Sequence, residues 1–183
     1  MSGDDVGLDF TIEALDPNGH DRSTFDSGVA RIDNFLKRTA RKHQASDFTR
    51  VWVACCPPQR QVLGYYAINS HTIEAAELPD QLAKSAPRHG AVPGAYLSMV
   101  GVERAFQGRG LGRALVVDAL RRIETASHTI GIKLAVLDVI DDGGEEEFRR
   151  RMRFYERLGF VAFPRRPSRM FIPMSTVRAA IRS

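Results

Sequence analysis

The stretch Gln107-Gly108-Arg109-Gly110-Leu111-Gly112-Arg113 constrains the fold more than any other part of the chain. It follows an apolar, strand-like run over residues 95–102. From Leu111 onward the apolar side chains fall at Leu111, Ala114, Leu115, Ala119, Leu120 and Ile123, the spacing of an amphipathic helix. The glycines therefore occupy a strand-to-helix turn. Glycine adopts positive φ there and lets a ligand approach the backbone closely. The first turn of a helix also carries unpaired N–H groups and the positive end of the helix dipole. Such a turn is suited to hold a phosphate, and Arg109 and Arg113 add positive charge beside it. No Gly-Lys-Ser/Thr closes the turn, so it is not a P-loop. It also lacks the G-x-G-x-x-G spacing of a dinucleotide fold and the acidic residue about 20 positions on. The plain alternative is a glycine-rich helix entry with no ligand.

The remaining composition narrows the class. At 183 residues the chain is long enough for one domain with a real core. The 43% hydrophobic and 26% charged content is that of an ordinary globular protein. The start, Met-Ser-Gly-Asp-Asp, does not read as a secretory leader. No apolar run approaches a membrane span. The two cysteines, Cys55 and Cys56, are neighbours in an apparent strand. They point to opposite faces and do not pair with each other. With no third cysteine, a disulfide framework and a cysteine-based zinc site are excluded, and a reducing cytoplasm is expected. The net charge of +4 permits an anionic partner without requiring one. Arginines crowd the last part of the chain: Arg149, Arg150, Arg151, Arg153, Arg157, Arg165, Arg166, Arg169, Arg178 and Arg182, with Glu156 the one acid among them.

In order, residues 8–15 alternate loosely as a first strand, and 16–21 are rich in turn formers. Ser23 or Asp26 offers a helix cap. Val29, Ile32, Phe35, Leu36 and Ala40 then give a helical apolar face. Arg31, Asn34, Arg38 and Arg41 or Lys42 share another face, either a solvated surface or the wall of a groove for a polyanion. Residues 50–56 and 61–75 read as a hairpin. Residues 77–94 read as a long loop with a short helix at 80–84, and 95–102 as the strand before the glycine turn. A buried strand at 132–140 and a helix at 145–158 follow. The acids of that helix lie at its start, as its dipole prefers, and Gly159 ends it. The last strands are 160–163 and 169–174, parted by a Pro-Arg-Arg-Pro turn. There is no internal repeat and no second domain.

The turn matches Q/R-x-x-G-x-G/A and resembles the acetyl-coenzyme A signature of the GNAT acyltransferase superfamily. The element order over about residues 8–174 resembles that fold too. The resemblance implies one α/β domain with a mixed central sheet of six to seven strands flanked by helices. It implies acetyl-CoA as cosubstrate and no metal. It places Gln107, Gly108, Arg109, Gly110, Leu111, Gly112 and Arg113 on the CoA pyrophosphate. Met99, Val100, Gly101 and Val102 fall along the pantetheine arm and the acetyl carbonyl. Phe154-Tyr155-Glu156-Arg157-Leu158-Gly159-Phe160 looks like the family's late "FYxxxGF" element, whose tyrosine lies near the CoA sulfur. A phenol with a pKa near 10 can protonate a departing thiolate. Tyr155 is thus either the general acid or a core aromatic. Glu103 is either a base or a solvated strand-end residue. Asp138 either shapes the acceptor side or, as a buried strand acid, caps structure.

A closer resemblance is to the tRNA-acetylating toxins of this superfamily. It is carried by Phe25-Asp26-Ser27-Gly28, Phe35-Leu36-Lys37-Arg38, Leu63-Gly64-Tyr65-Tyr66-Ala67-Ile68, a late loop ending at Pro93, and Arg169-Met170-Phe171-Ile172-Pro173-Met174. Two departures are visible. Those toxins usually have cysteine where Ser27 stands, and an Arg-Leu-Ala-Val-Asp strand where this chain has Met99-Val-Gly-Val-Glu103. The resemblance implies acetylation of aminoacyl-tRNA, a ribbon-helix-helix antitoxin partner and a homodimer. It makes Arg31, Arg38, Arg41, Glu103 and Asp138 the acceptor-side candidates. A GNAT acting on a small amine or a protein amine, and a GNAT scaffold that only senses acyl-CoA, are the alternatives.

Overall fold

The computed structural model describes residues 9–182. The leader reading of the first five residues, and Leu8 of the first strand, lie outside them. Seven strands form one mixed sheet in the order β1-β2-β3-β4-β5-β7-β6. They are β1 (Thr11–Ala14), β2 (Arg50–Cys55), β3 (Gly64–Glu74), β4 (Ala91–Val102), β5 (Leu134–Asp138), β6 (Val161–Phe163) and β7 (Arg166–Pro173). The helices are α1 (Ala30–Asn34), α2 (Ala40–Ala45), α3 (Asp80–Ala83), α4 (Leu111–Ser127), α5 (Glu145–Arg157) and α6 (Met174–Arg182). The α/β class and the mixed sheet are as expected. Two compact units share these elements, one over residues 9–69 and 97–119, the other over 70–96 and 120–182.

In the first unit β1, β2 and β3 pair antiparallel, with Thr11 opposite Cys55 and Val53 opposite Tyr65. Strand β3 starts at Gly64, later than the expected 61, because Gln61 makes only an isolated bridge to Asp21. Neither Ser23 nor Asp26 caps α1, which Val29 precedes without a side-chain cap. The Asp26 carboxylate instead accepts the Gly28 N–H at 2.8 Å. Ser27 and Asp33 organise the helix entry: the Ser27 N–H and hydroxyl both donate to Asp33 Oδ1, at 2.8 and 2.6 Å.

Helices α1 and α2 are parts of one run, joined by a π-helical turn over Phe35–Thr39. The buried residues of this run are Ile32, Leu36 and Ala40. Their spacing of four drifts around a 3.6-residue helix, and the wider π turn takes up that drift. The Tyr65 hydroxyl donates to the Ile32 carbonyl at 2.7 Å, and the Phe35 ring stacks on Tyr65 at 6.1 Å. These contacts fix where the helix widens.

In the second unit the carboxyl half of β3 carries Ile73, and β4 runs parallel to β5 with Ala95 opposite Ala135. Strand β4 begins at Ala91, earlier than the expected 95, and so contains Pro93. Proline is tolerated there because its carbonyl is the group used, accepting the Lys133 N–H at 2.8 Å. Strand β5 spans five residues, shorter than the expected 132–140. Strand β7 inserts between β5 and β6, antiparallel to both. Ile73, Leu78, Val92, Leu134, Val136, Phe163 and Phe171 form a buried cluster beneath α3 and its flanks. Helix α6, which the sequence reading leaves out, buries Met174 and Val177.

Candidate active site

The glycine turn has the predicted form. Gly108 and Gly110 have φ of +73° and +83°, and α4 begins at Leu111. Ala114 N–H donates to the Gly110 carbonyl at 3.0 Å. The amides of Leu111, Gly112 and Arg113 are therefore those a helix cannot satisfy for itself. Gln107, Gly108, Arg109, Gly110 and Arg113 are exposed, while Leu111 is buried and anchors the helix. A Cβ built on Gly108 would meet nothing within 4 Å. Its bareness serves no packing inside the protein. Arg109 lies over the Phe106 ring at 5.7 Å. The Gln107 side-chain amide donates to the carbonyls of Ser27, at 2.8 Å, and Val102, at 2.9 Å. It pins the turn to the end of β4 and to the loop before α1.

Met99, Val100, Gly101 and Val102 form the last part of β4. A Cβ on Gly101 would lie 2.5 Å from Ile32 and 2.9 Å from the Tyr65 ring, so this glycine is set by packing. Glu103 follows the strand. Its carboxylate accepts the Asp26 N–H at 2.7 Å, and its own N–H donates to the Leu63 carbonyl. It ties two loops together and is engaged in structure. Arg31, Arg38 and Arg41 are all exposed on the α1–α2 run. Charge is unevenly divided. The first unit's sequence holds 11 Lys and Arg against 11 Asp and Glu; the second holds 15 against 11, and so carries the whole net charge of +4.

Tyr155 lies in the second unit near the end of α5. Its ring meets Phe154 at 5.0 Å and Phe160 at 5.8 Å, both edge-on. Burial pushes the phenol up to about 12, with the Arg151 charge opposing. The group is therefore protonated at neutral pH: a proton donor and not a base. Arg151 also donates to the Ile140 carbonyl at 2.9 Å, joining α5 to the chain just after β5.

Asp138 departs from expectation. It is exposed at the end of β5, not buried, and accepts the Tyr96 hydroxyl at 2.8 Å. Three residues to which the sequence assigns no site role gather around it. Arg169 is its register partner on β7, the Arg169 Nη2 donates to His71 Nε2, and the His71 and Tyr96 rings lie 5.3 Å apart.

Among the described residues, one other cluster brings metal-ligand types together: Glu13, His20 and Cys55, with donor atoms within 4.8 Å of one another. The Asp16 N–H donates to His20 Nδ1 at 2.9 Å, which leaves that nitrogen bare. The ring proton then sits on Nε2 and is donated to Glu13 at 2.9 Å. The nitrogen facing the cluster carries a proton, so the donor set does not fit a cation.

Comparison with known proteins identifies the family. The model of the acetyltransferase (GNAT) domain family matches residues 47–162. A probable toxin TacT of Sinorhizobium fredii is 44% identical over 92% of this chain and 93% of its own length. A tRNA-acetylating toxin of Mycobacterium tuberculosis is 29% identical, covering 88% of this chain and 90% of that one. Among solved structures, AtaT complexed with acetyl-methionyl-tRNAfMet superposes with a TM-score of 0.83 at 26% identity, over 94% of this chain and 99% of its own. By that family model and by the Sinorhizobium fredii relative, the chain belongs to the GNAT family of acetyltransferases.

Proposed function

We propose that this protein is a translation-blocking toxin that transfers the acetyl group of acetyl-CoA to the amino group of an aminoacyl-tRNA. The observation that carries the donor half is the exposed glycine turn. Gly108 and Gly110 are left-handed, nothing fills the space beside Gly108, and the first-turn amides of α4 follow. That arrangement fits a pyrophosphate. The donor half rests on Gln107 to Arg113, with Met99 to Val102 along the thioester arm. The acceptor half rests on the likeness to one relative named as a tRNA-acetylating toxin and another named as a probable toxin, and on the basic second unit.

The chemistry follows from the groups present. The neutral acceptor amine attacks the thioester carbonyl, a C–N bond forms and the C–S bond breaks. A backbone amide of the β4 end steadies the oxyanion. The Tyr155 phenol gives its proton to the departing thiolate, and the phenolate is restored by the proton the new amide sheds, through solvent. The protein acts in the cytoplasm. The resemblance adds a homodimer and a ribbon-helix-helix antitoxin as partners.

A cell-free translation reaction tests the reading. Protein plus acetyl-CoA is expected to stop synthesis, and fresh aminoacyl-tRNA in excess to restart it. Inhibition that does not need acetyl-CoA, or no inhibition at all, would overturn it.

A further inference from the structure

Four strands of the second unit each place one polar side chain on the same sheet face. On β5, Leu134 and Val136 lie in the buried cluster and Asp138 is next in that alternation. On β7, Phe171 lies in the cluster and Arg169 is next. Strand β3 repeats this with Ile73 and His71, and Tyr96 of β4 packs against the same cluster. The four close into a ring: Tyr96 to Asp138 by hydrogen bond, Asp138 to Arg169 by register, Arg169 to His71 by hydrogen bond, and His71 to Tyr96 by ring contact.

The ring is incompletely satisfied. Arginine can only donate, so His71 Nε2 accepts and the imidazole is neutral with its proton on Nδ1. Burial and the Arg169 charge hold His71 below its ordinary value, with Asp138 and Glu77 opposing. Arg169 thus meets a neutral partner, lies over the Phe163 ring at 5.7 Å, and leaves its buried Nε without a hydrogen-bond partner. Among the described residues it pairs with no carboxylate, while Glu77 faces Arg166 at 3.8 Å. A half-buried guanidinium with no carboxylate in ion-pair contact is costly, and an arriving phosphate would offset that cost. Asp138 Oδ2 is occupied by Tyr96, which leaves Oδ1 to accept from a sugar hydroxyl. His71 offers a ring face and the Nδ1–H. A cation, a carboxylate oxygen and an aromatic face side by side match a nucleotide: phosphate, ribose and base. The ring stands at the end of β5 where Arg151 joins α5 to Ile140 and acts on Tyr155.

We propose that His71, Tyr96, Asp138 and Arg169 form the subsite for the terminal nucleotide of the acceptor RNA, with Arg169 on its phosphate and Asp138 on a ribose hydroxyl. This rests on the acceptor reading given above. Two acceptors separate the roles: an aminoacylated RNA minihelix, and an aminoacyl-adenosine that lacks the phosphate. Arg169→Lys is expected to raise KM for the minihelix about tenfold, leaving KM for acetyl-CoA and for aminoacyl-adenosine unchanged. Asp138→Asn is expected to raise KM for both acceptors. Adenosine 5′-monophosphate is expected to compete with the minihelix on the wild-type protein, more strongly than adenosine does, which tests the subsite without any variant. Equal KM values for wild type and Arg169→Lys, or adenosine competing as well as its phosphate, would overturn the subsite while leaving the acceptor reading intact. Wild-type protein that acetylates no aminoacyl-RNA would remove the acceptor reading, and the subsite with it.

Discussion

The side-chain amide of Gln107 donates to the carbonyl of Ser27, 80 residues away in sequence, at 2.8 Å. The same nitrogen reaches Val102, so one glutamine sets the turn against both the end of β4 and the entry to α1. Gln107→Ala removes two hydrogen bonds worth about 0.5–1.5 kcal/mol each. The expected result is a weaker hold on CoA of about tenfold by calorimetry, with a small fall in Tm. Unchanged CoA affinity would mean that the turn keeps its shape without this side chain.

Gly108 and Gly101 are bare for opposite reasons. At Gly108 a methyl group has open space but a backbone of φ +73°, so Gly108→Ala is expected to cost about 1–2 kcal/mol and to block the ligand. At Gly101 it would lie 2.5 Å from Ile32 and 2.9 Å from Tyr65, so Gly101→Ala is expected to cost about 1–3 kcal/mol by overpacking. Denaturant unfolding and CoA titration on both variants check the contrast. Gly108→Ala should lose more in CoA affinity than in stability, and Gly101→Ala the reverse.

The raised pKa of Tyr155 has two consequences with a definite sign. Because burial favours the protonated phenol, Tyr155 keeps its proton to about 12, and with Tyr155 as the proposed general acid kcat should not fall from its ionisation between pH 8 and 10. A raised value in the folded state also means that Tyr155 stabilises the fold fully below the ordinary value of 10 and loses that contribution as pH rises to about 12. A Tm series from pH 9 to 12 should fall more steeply for the wild type than for Tyr155→Phe. Parallel curves would show that the phenol is not desolvated.

The tautomer of His20 gives a metal prediction. With Nε2 protonated toward Glu13 and Nδ1 taken by the Asp16 amide, Zn²⁺ has no nitrogen to bind in the Glu13–His20–Cys55 cluster. Neither zinc nor a chelator should move the Tm. Stabilisation by stoichiometric zinc that is lost in His20→Ala would contradict the assignment.

The glycine turn was legible in the sequence because its local pattern, an apolar strand, three glycines and a helical period, needs no distant partner. The acidic start of α5 and Gly159 at its end were legible for the same reason. The π turn at Phe35–Thr39 was not, because it answers to the burial of Leu36 and Ala40 and to the contacts of Tyr65. The apolar run around Asp138 predicts a buried side chain, yet the residue ends that strand and is exposed. Its neighbours His71, Tyr96 and Arg169 come from three other strands, and only the insertion of β7 beside β5 brings Arg169 there. The one trace in the sequence was alternation: His71 lies two residues before Ile73, and Arg169 two before Phe171.

Acetyl transfer to charged tRNA is measured by incubating the purified protein, beside Tyr155→Phe, with acetyl-labelled acetyl-CoA and a total pool of charged tRNA. The wild type is expected to place label in amide linkage on the aminoacyl end, and the variant at least about a hundredfold less, on the order of the share that general acid catalysis supplies. Free labelled acetate with no labelled tRNA, or equal transfer by both proteins, would contradict this expectation.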